Sequence, residues 1–191
     1  MSWAIWITGR PGSGKSTLAA RVVEALARWP LTFKVLDLTV ARHAIVGKAW
    51  ATETEEEFVH RALAYSAKLL TEAGVVVVVD ATAPRRAWRD TARRWITHFA
   101  EVQLICPPDL CAVREQAARW GLSGTRTGAA PPAAPELALD YEEALRPELS
   151  LHTHGPELMA RVEEVVLLAR RLQHAVAEST IGSGGTHHES A

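Results

Sequence analysis

A glycine-rich stretch near the amino terminus constrains the fold of this chain more than any other feature. It reads Gly9-Arg10-Pro11-Gly12-Ser13-Gly14-Lys15-Ser16, with Thr17 next, and fits the pattern G-x-x-x-x-G-K-[ST]. A short apolar run precedes it and a segment with helical periodicity follows it. In such an order, backbone N–H groups point into one concavity at the positive end of a helix dipole. The stretch therefore predicts a phosphate-binding loop.

Two side chains of the loop have predicted roles toward a nucleoside triphosphate. Lys15 is expected to reach the β- and γ-phosphates, and the Ser16 hydroxyl is expected to ligate Mg²⁺. ATP and Mg²⁺ are the cofactors that this chemistry implies. The residues expected to bind the nucleotide are Gly9, Arg10, Pro11, Gly12, Ser13, Gly14, Lys15, Ser16 and Thr17.

Apolar segments alternate in type along the chain. Strands are predicted at 3–8, 33–38, 75–79, 102–106 and 149–153, and helices at 17–29, 55–73, 87–100, 109–120 and 156–177. In the helix at 55–73, the residues expected to face inward are Phe58, Ala62, Tyr65, Leu69 and Leu70. The alternation predicts an α/β fold with a parallel sheet and helices on both faces, and ligands bind beyond the carboxyl ends of such strands.

The length of 191 residues suits one domain, which we place at residues 1–177. Residues 121–135 are rich in Gly, Ala, Pro and Thr, which predicts a loop or mobile lid. Residues 178–191 are rich in Ser, Gly, Thr and His, which predicts a disordered tail.

The composition limits which cellular compartment and which classes of binding partner we expect. Lys and Arg number 21 against 22 Asp and Glu, and this balance weighs against a global electrostatic grip on nucleic acid. Two cysteines suit a reducing cytosol, so we expect a cytoplasmic protein. No apolar run approaches the roughly 20 residues that span a bilayer, so we expect no membrane association.

Acidic residues end two predicted strands. Asp80 follows five consecutive valines, and a carboxylate there can hold a water of the Mg²⁺ shell or accept a proton from an attacking hydroxyl. Asp37 ends the second strand and offers the same chemistry. Asp is also a common turn or cap residue, so both interpretations stay open at each position.

Three arginines near strand ends are candidates for binding the acceptor or the transferring phosphoryl group. They are Arg42, Arg61 and Arg126. A planar guanidinium suits the concentrated negative charge of phosphoryl transfer, although a solvated helix face is the commoner environment for any one arginine.

A series of short motifs resembles one kinase family. After the loop come Leu36-Asp37, Arg42-His43, Ala67-Lys68-Leu69-Leu70, Ala83-Pro84-Arg85, Cys111 with Arg114-Glu115, and Leu139-Asp140-Tyr141-Glu142 running to Pro147-Glu148-Leu149. Through them the chain, up to about residue 172, resembles the adenylylsulfate kinase family of phosphate-loop kinases. The loop is shared with many kinases, whereas the Tyr-Glu and Pro-Glu-Leu stretches are more particular to this family.

The resemblance implies a three-layer P-loop kinase fold and a small-molecule substrate. Such enzymes transfer the γ-phosphate of ATP to the 3′-hydroxyl of adenosine 5′-phosphosulfate, and they often pair as dimers. It also implies a nucleotide contact for Arg114. Taken together with the acids at the strand ends, the catalytic residues expected in this chain are Lys15, Asp80 and Asp37, with Ser16 and Asp80 at the metal.

The sequence departs from the family on the acceptor side. The second acid of the family's Asp-Gly-Asp-Asn motif is Thr39 here, an acceptor-binding Asn is Phe58, and the Ser of a Ser-Pro pair is Ala83. Asp80 is not typical of the family, so the catalytic acid is expected to have moved there. Residues expected at the acceptor are Asp37, Arg42, Phe58, Arg61, Ala83 and Arg126.

These departures leave three alternatives to adenylylsulfate phosphorylation. The chain is a kinase for another hydroxylated acceptor, a nucleotide-binding sensor without catalysis, or a nucleic-acid 5′-kinase. The balanced charge counts against the last of these.

Overall fold

A parallel sheet organises the molecule. The computed structural model describes residues 1–47, 52–119, 139–155 and 157–183. The described strands are β1 (Ala4–Gly9), β2 (Phe33–Asp37), β3 (Val76–Asp80), β4 (Phe99–Ile105) and β5 (Leu149–His152). They pair in parallel in the order β2-β3-β1-β4-β5. The predicted α/β class is confirmed.

Helices cover both faces of this sheet. They are α1 (Lys15–Leu26), α2 (Leu38–Val46), α3 (Glu53–Glu72), α4 (Arg86–Trp95), α5 (Pro108–Arg119) and α6 (Leu158–Ser183). One core lies between the sheet and α1 with α6, and the other lies between the sheet and α3 with α4. Within the described ranges, no helix has the length and apolar character needed to cross a bilayer.

The central strand β1 joins the two cores. Ile5 and Ile7 pack toward α1 and α6, whereas Ala4 and Trp6 pack toward α3 and α4. All four side chains are fully buried. A strand covered on both faces carries an uninterrupted apolar run, which is why the pattern of residues 3–8 identifies it without alternation.

One helix ends earlier than predicted and another was not predicted, because local backbone geometry ends the first and begins the second. The helix predicted at 87–100 ends at Trp95, where Ile96 turns extended, and Phe99 and Ala100 already belong to β4. Helix α2 was not predicted: it begins after Asp37, whose carboxylate accepts a hydrogen bond from the Val40 N–H at 2.9 Å.

The carboxyl-terminal helix is longer than predicted. Helix α6 continues past residue 177 to Ser183, so the first part of the expected tail is helical. In this added stretch the Ser179 hydroxyl donates to the Ala175 carbonyl one turn earlier at 2.8 Å, so its polar group has a partner within the helix. The rest of that tail and the lid expected at 121–135 lie outside the described residues.

The face of α3 that packs on the sheet also differs from the predicted one. Phe58, Tyr65 and Leu69 are 61%, 53% and 47% exposed, while Ala62 and Leu70 are half-buried. The buried face consists of Glu56, Val59, His60, Leu63, Ala64, Ala67 and Thr71. The first turns of this buried face carry the polar residues Glu56 and His60. A prediction from apolar periodicity alone therefore chooses the adjacent, more exposed face of the helix.

This assignment of α3 predicts unequal costs for two truncations on the same helix. Leu63→Ala removes a buried side chain and should lower the free energy of unfolding by about 2–5 kcal/mol. Phe58→Ala should change it by no more than about 0.5 kcal/mol, because the ring is exposed. Urea unfolding followed by circular dichroism measures both, and equal losses would contradict the assignment.

Candidate active site

The glycine-rich stretch forms a loop between β1 and α1, in the predicted order. It closes with a hydrogen bond from the Ser13 N–H to the Arg10 carbonyl at 3.1 Å. The Lys15 ammonium donates to the carbonyls of Gly9 and Arg10 at 3.2 and 3.1 Å, so the side chain lies over the loop. The buried Ser13 hydroxyl has no hydrogen-bond partner among the described residues.

Helix α5 packs directly against this loop. Gly12 adopts φ 74°, and a Cβ atom there would lie 2.1 Å from the carbonyl oxygen of Cys111, so only glycine fits. Burial raises the pKa of the Cys111 thiol to about 12, although the charges of Lys15 and Arg114 oppose this rise. The Arg114 guanidinium lies 3.7 Å from the Cys106 sulfur. Arg114, which the sequence predicts to bind the nucleotide, is therefore beside the loop.

Asp37 and Asp80 end neighbouring strands and are direct register partners. On its other side Asp80 pairs with Ile7, two residues before Gly9. Val78 of the same strand packs in the core with α1, and side chains alternate along a strand. Both carboxylates therefore project from the face of the sheet that α1 covers.

The two carboxylates differ in burial. Asp37 is the N-cap of α2, with one oxygen bonded to the Val40 N–H, so the cap interpretation left open by the sequence is correct for this residue. Asp80 is almost fully buried beside the loop strand.

Ser16 and Asp80 supply a donor set that fits Mg²⁺. Ser16 lies in the first turn of α1, and Asp80 lies at the edge that the same helix covers. Hydroxyl and carboxylate oxygens are hard ligands, and Mg²⁺ takes few protein ligands beside phosphate oxygens and water.

A small pocket opens at the carboxyl edge on the other face of the sheet. Its lining residues are Leu38, Arg42, Glu56, His60, Thr82, Pro84 and Leu139. Arg42 and Glu56 are both buried there and form a salt bridge, with Arg42 Nε 2.7 Å from Glu56 Oε1. The guanidinium of Arg42, which the sequence predicts to bind the acceptor, therefore forms an ion pair with a carboxylate of the protein itself.

His60 is a buried neutral side chain in this pocket wall. Burial lowers the pKa of His60 to about 4; its hydrogen bond to the Glu56 carbonyl opposes this, and the charges of Arg42 and Arg89 add to it. The ring stacks on Trp88 with centroids 4.6 Å apart, and Nδ1 lies 2.7 Å from the Glu56 carbonyl. Because that carbonyl accepts, Nδ1 carries the proton.

The other predicted acceptor residues do not converge on one place. Arg61 lies 5.6 Å from the ring of Trp95, which ends α4 and leads to the opposite edge of the sheet. Phe58 is on the outer surface of α3. Ala83 is buried in the turn after Asp80, with φ 41°. Arg126 lies outside the described residues.

A buried polar network surrounds the turn that follows Asp80, and the sequence did not predict it. Arg89 and Glu101 are both buried and form a salt bridge at 2.6 Å. The Tyr141 hydroxyl lies 3.2 Å from the Thr8 hydroxyl. The only signals in the sequence are a charge within a strand-like run, Glu101, and a family-like Tyr141.

The fold and the loop define a P-loop nucleotide-binding protein, and comparisons identify the family. The adenylylsulphate kinase family model matches residues 1–151. An adenylyl-sulfate kinase of Synechococcus sp. is 36% identical, covering 75% of this chain and 87% of that protein. A probable adenylyl-sulfate kinase of Archaeoglobus fulgidus is 31% identical, covering 80% and 97%.

A solved structure agrees with these relatives. The APS kinase of Mycobacterium tuberculosis, in complex with AMPPNP and APS, superposes with a TM-score of 0.69 at 27% identity. The alignment covers 88% of this chain and 98% of that chain. This chain belongs to the adenylylsulfate kinase family, as its motifs indicated.

The neutral state of His60 predicts a pH-dependent stability. The unfolded chain takes up a proton near the ordinary value of 6.5, whereas the native state does so only near 4. The stabilisation is therefore complete above pH 6.5 and is lost as pH falls toward 4, by up to about 3 kcal/mol. Urea unfolding of the protein and of His60→Phe, which keeps a ring on Trp88, measures it. Parallel pH profiles for the two proteins would refute the assignment.

Proposed function

We propose that this protein is an ATP-dependent kinase that phosphorylates the 3′-hydroxyl of adenosine 5′-phosphosulfate. The observation that carries the proposal is a family match over residues 1–151 on a chain whose phosphate loop is intact. The named activity of the relatives supplies the acceptor.

The donor half of the proposed site consists of Lys15, Ser16 and the loop amides. Lys15 turns from the carbonyls of Gly9 and Arg10 to the β- and γ-phosphates when nucleotide binds. Arg114 adds positive charge from α5. Ser16 would hold Mg²⁺ with Asp80 nearby, and the ion would supply positive charge that neutralises the phosphates.

We assign the catalytic acid to Asp80. Its strand is hydrogen-bonded to β1, and its side chain projects on the face that α1 covers. Asp37 has one oxygen engaged as a helix cap, which favours a structural role for it. Asp80 then orients the acceptor hydroxyl and accepts its proton as the phosphoryl group transfers.

The acceptor half is proposed to lie at the pocket lined by Arg42, Thr82 and Pro84. This pocket and Asp80 share the carboxyl edge of β3, where ligands of parallel sheets bind. Ala83 shapes that wall through its backbone. The surroundings of Phe58 and Arg61 favour surface roles for both residues.

Compartment and assembly stay predictions. Both cysteines are free thiols, which suits a reducing cytoplasm. Homodimerisation is proposed from the family resemblance, and analytical ultracentrifugation measures it. No observation favours the non-catalytic sensor or the nucleic-acid kinase, and the assay below includes both as outcomes.

A phosphoryl-transfer assay tests the proposed function and the role of Lys15. With ATP, Mg²⁺ and adenosine 5′-phosphosulfate, the protein should form a phosphorylated product. Lys15→Ala should reduce turnover by roughly 100-fold or more, because preorganised charge supplies most of the rate enhancement. Lys34→Ala, an exposed lysine on β2, is the matched control and should keep normal turnover.

Each contrary result in that assay has a defined meaning. Transfer to an oligonucleotide or a sugar instead of adenosine 5′-phosphosulfate would replace the acceptor. Nucleotide binding without transfer to any acceptor would establish the sensor. Unchanged turnover in Lys15→Ala would remove the proposed mechanism.

Paired substitutions distinguish the two acids. Asp80→Asn should lower kcat by about 10²–10⁴-fold, the usual contribution of a positioned general base. Asp37→Asn should keep near-normal kcat, because asparagine caps a helix as well as aspartate does. Steady-state kinetics with unchanged circular dichroism measures both. The opposite ranking of the two variants would transfer the role to Asp37.

A further inference from the structure

Arg89 is a fully buried cation near the proposed acceptor pocket, but it does not line that pocket. Its guanidinium donates to three separate parts of the fold. Nε bonds Glu101 of β4 at 2.6 Å, Nη1 bonds the carbonyl of Ala83, and Nη2 bonds the carbonyl of Glu142 at 2.6 Å. The ring of Tyr141 lies 5.1 Å from the guanidinium carbon.

Three successive carbonyls of the turn that follows Asp80 accept hydrogen bonds. The Thr8 hydroxyl donates to the carbonyl of Thr82, Arg89 donates to that of Ala83, and the Glu142 N–H donates to that of Pro84 at 2.9 Å. Ala83 holds a left-handed φ of 41°, which a residue with a side chain adopts only when its surroundings impose it.

The segment 139–148 is tied to the same turn. The Tyr141 hydroxyl lies 3.2 Å from the Thr8 hydroxyl, and the Glu142 carboxylate accepts from the Arg86 N–H at 2.9 Å. Leu139 at the start of this segment lines the pocket together with Thr82 and Pro84 of the turn. One guanidinium therefore binds the backbones of two of the segments that line the pocket, whose remaining wall comes from α2 and α3.

We propose that Arg89 is a positioning residue for phosphoryl transfer, because its planar fork holds the turn after Asp80 and the segment 139–148 in one geometry. The proposal rests on the proposed kinase function. A fork with several fixed N–H donors can bond three diverging acceptors, whereas a lysine ammonium has no such geometry. Because a small misplacement of reacting groups lowers the rate steeply, the walls of the acceptor pocket need this constraint.

The test compares two Arg→Lys variants of α4 by full kinetics. Arg89→Lys keeps the charge beside Glu101 but loses the fork, so kcat/KM for the acceptor should fall at least tenfold. The Kd for Mg-ATP should stay within twofold, because the loop is not touched. Arg93→Lys is the control: Arg93 pairs with Glu101 and Glu148 and makes no bond to the turn, so its kinetics should stay near normal.

A second variant covers the case in which Arg89→Lys does not fold. Thr8→Val keeps the shape of Thr8 and removes the hydroxyl that bonds Thr82 and Tyr141. It should produce the same loss for the acceptor with unchanged nucleotide affinity. Normal acceptor kinetics in a folded Arg89→Lys, or equal losses in Arg89→Lys and Arg93→Lys, would overturn the proposal.

Hydrogen exchange separates failure of this proposal from failure of the proposed function. If the unmodified protein phosphorylates no acceptor, the function fails, but the coupling remains measurable. Arg89→Lys should then accelerate amide exchange at Thr82 and at Glu142 together, while Arg93→Lys leaves both unchanged. Acceleration at only one of the two segments, or at neither, would show that Arg89 does not couple them.

Discussion

The burial of β1 on both faces, between β3 and β4, is the constraint on which the site depends. This strand cannot tilt without breaking two hydrogen-bonded ladders and opening two cores. The phosphate loop follows the carboxyl end of β1, so its position beside the end of β3 and Asp80 is fixed. The donor half of the site follows from sheet geometry, whereas the acceptor half is built from turns and helices that need separate support.

The parts of this molecule that the sequence predicted correctly are those with a local cause. Five β-branched valines before Asp80 favour a short strand buried on both faces, and the glycine loop between a strand and a helix has one common structure. Parallel pairing follows from the alternation of elements, and it brings Asp37 and Asp80 into register. The family resemblance rested on the same short motifs and was correct.

The errors about which side chains are buried have a different physical origin, since each depends on a partner distant in the chain. Glu56 faces inward because Arg42 neutralises it, and no period along α3 reveals that pair. Arg89 is buried because Glu101 and two backbone segments accept hydrogen bonds from its guanidinium. The cap that starts α2 at Asp37 is local, but the same residue type also ends strands at active sites. The burial of charged side chains is therefore the feature that a single sequence predicts least well.

The contact between Gly12 and the Cys111 carbonyl limits how such a sequence can diverge. Any side chain at position 12 forces the first turn of α5 to retreat from the loop. A retreat also withdraws Arg114, which the same helix carries. A substitution at position 12 therefore requires a compensating change in the first turn of α5. The exposed residues of α3 can be substituted independently of other positions.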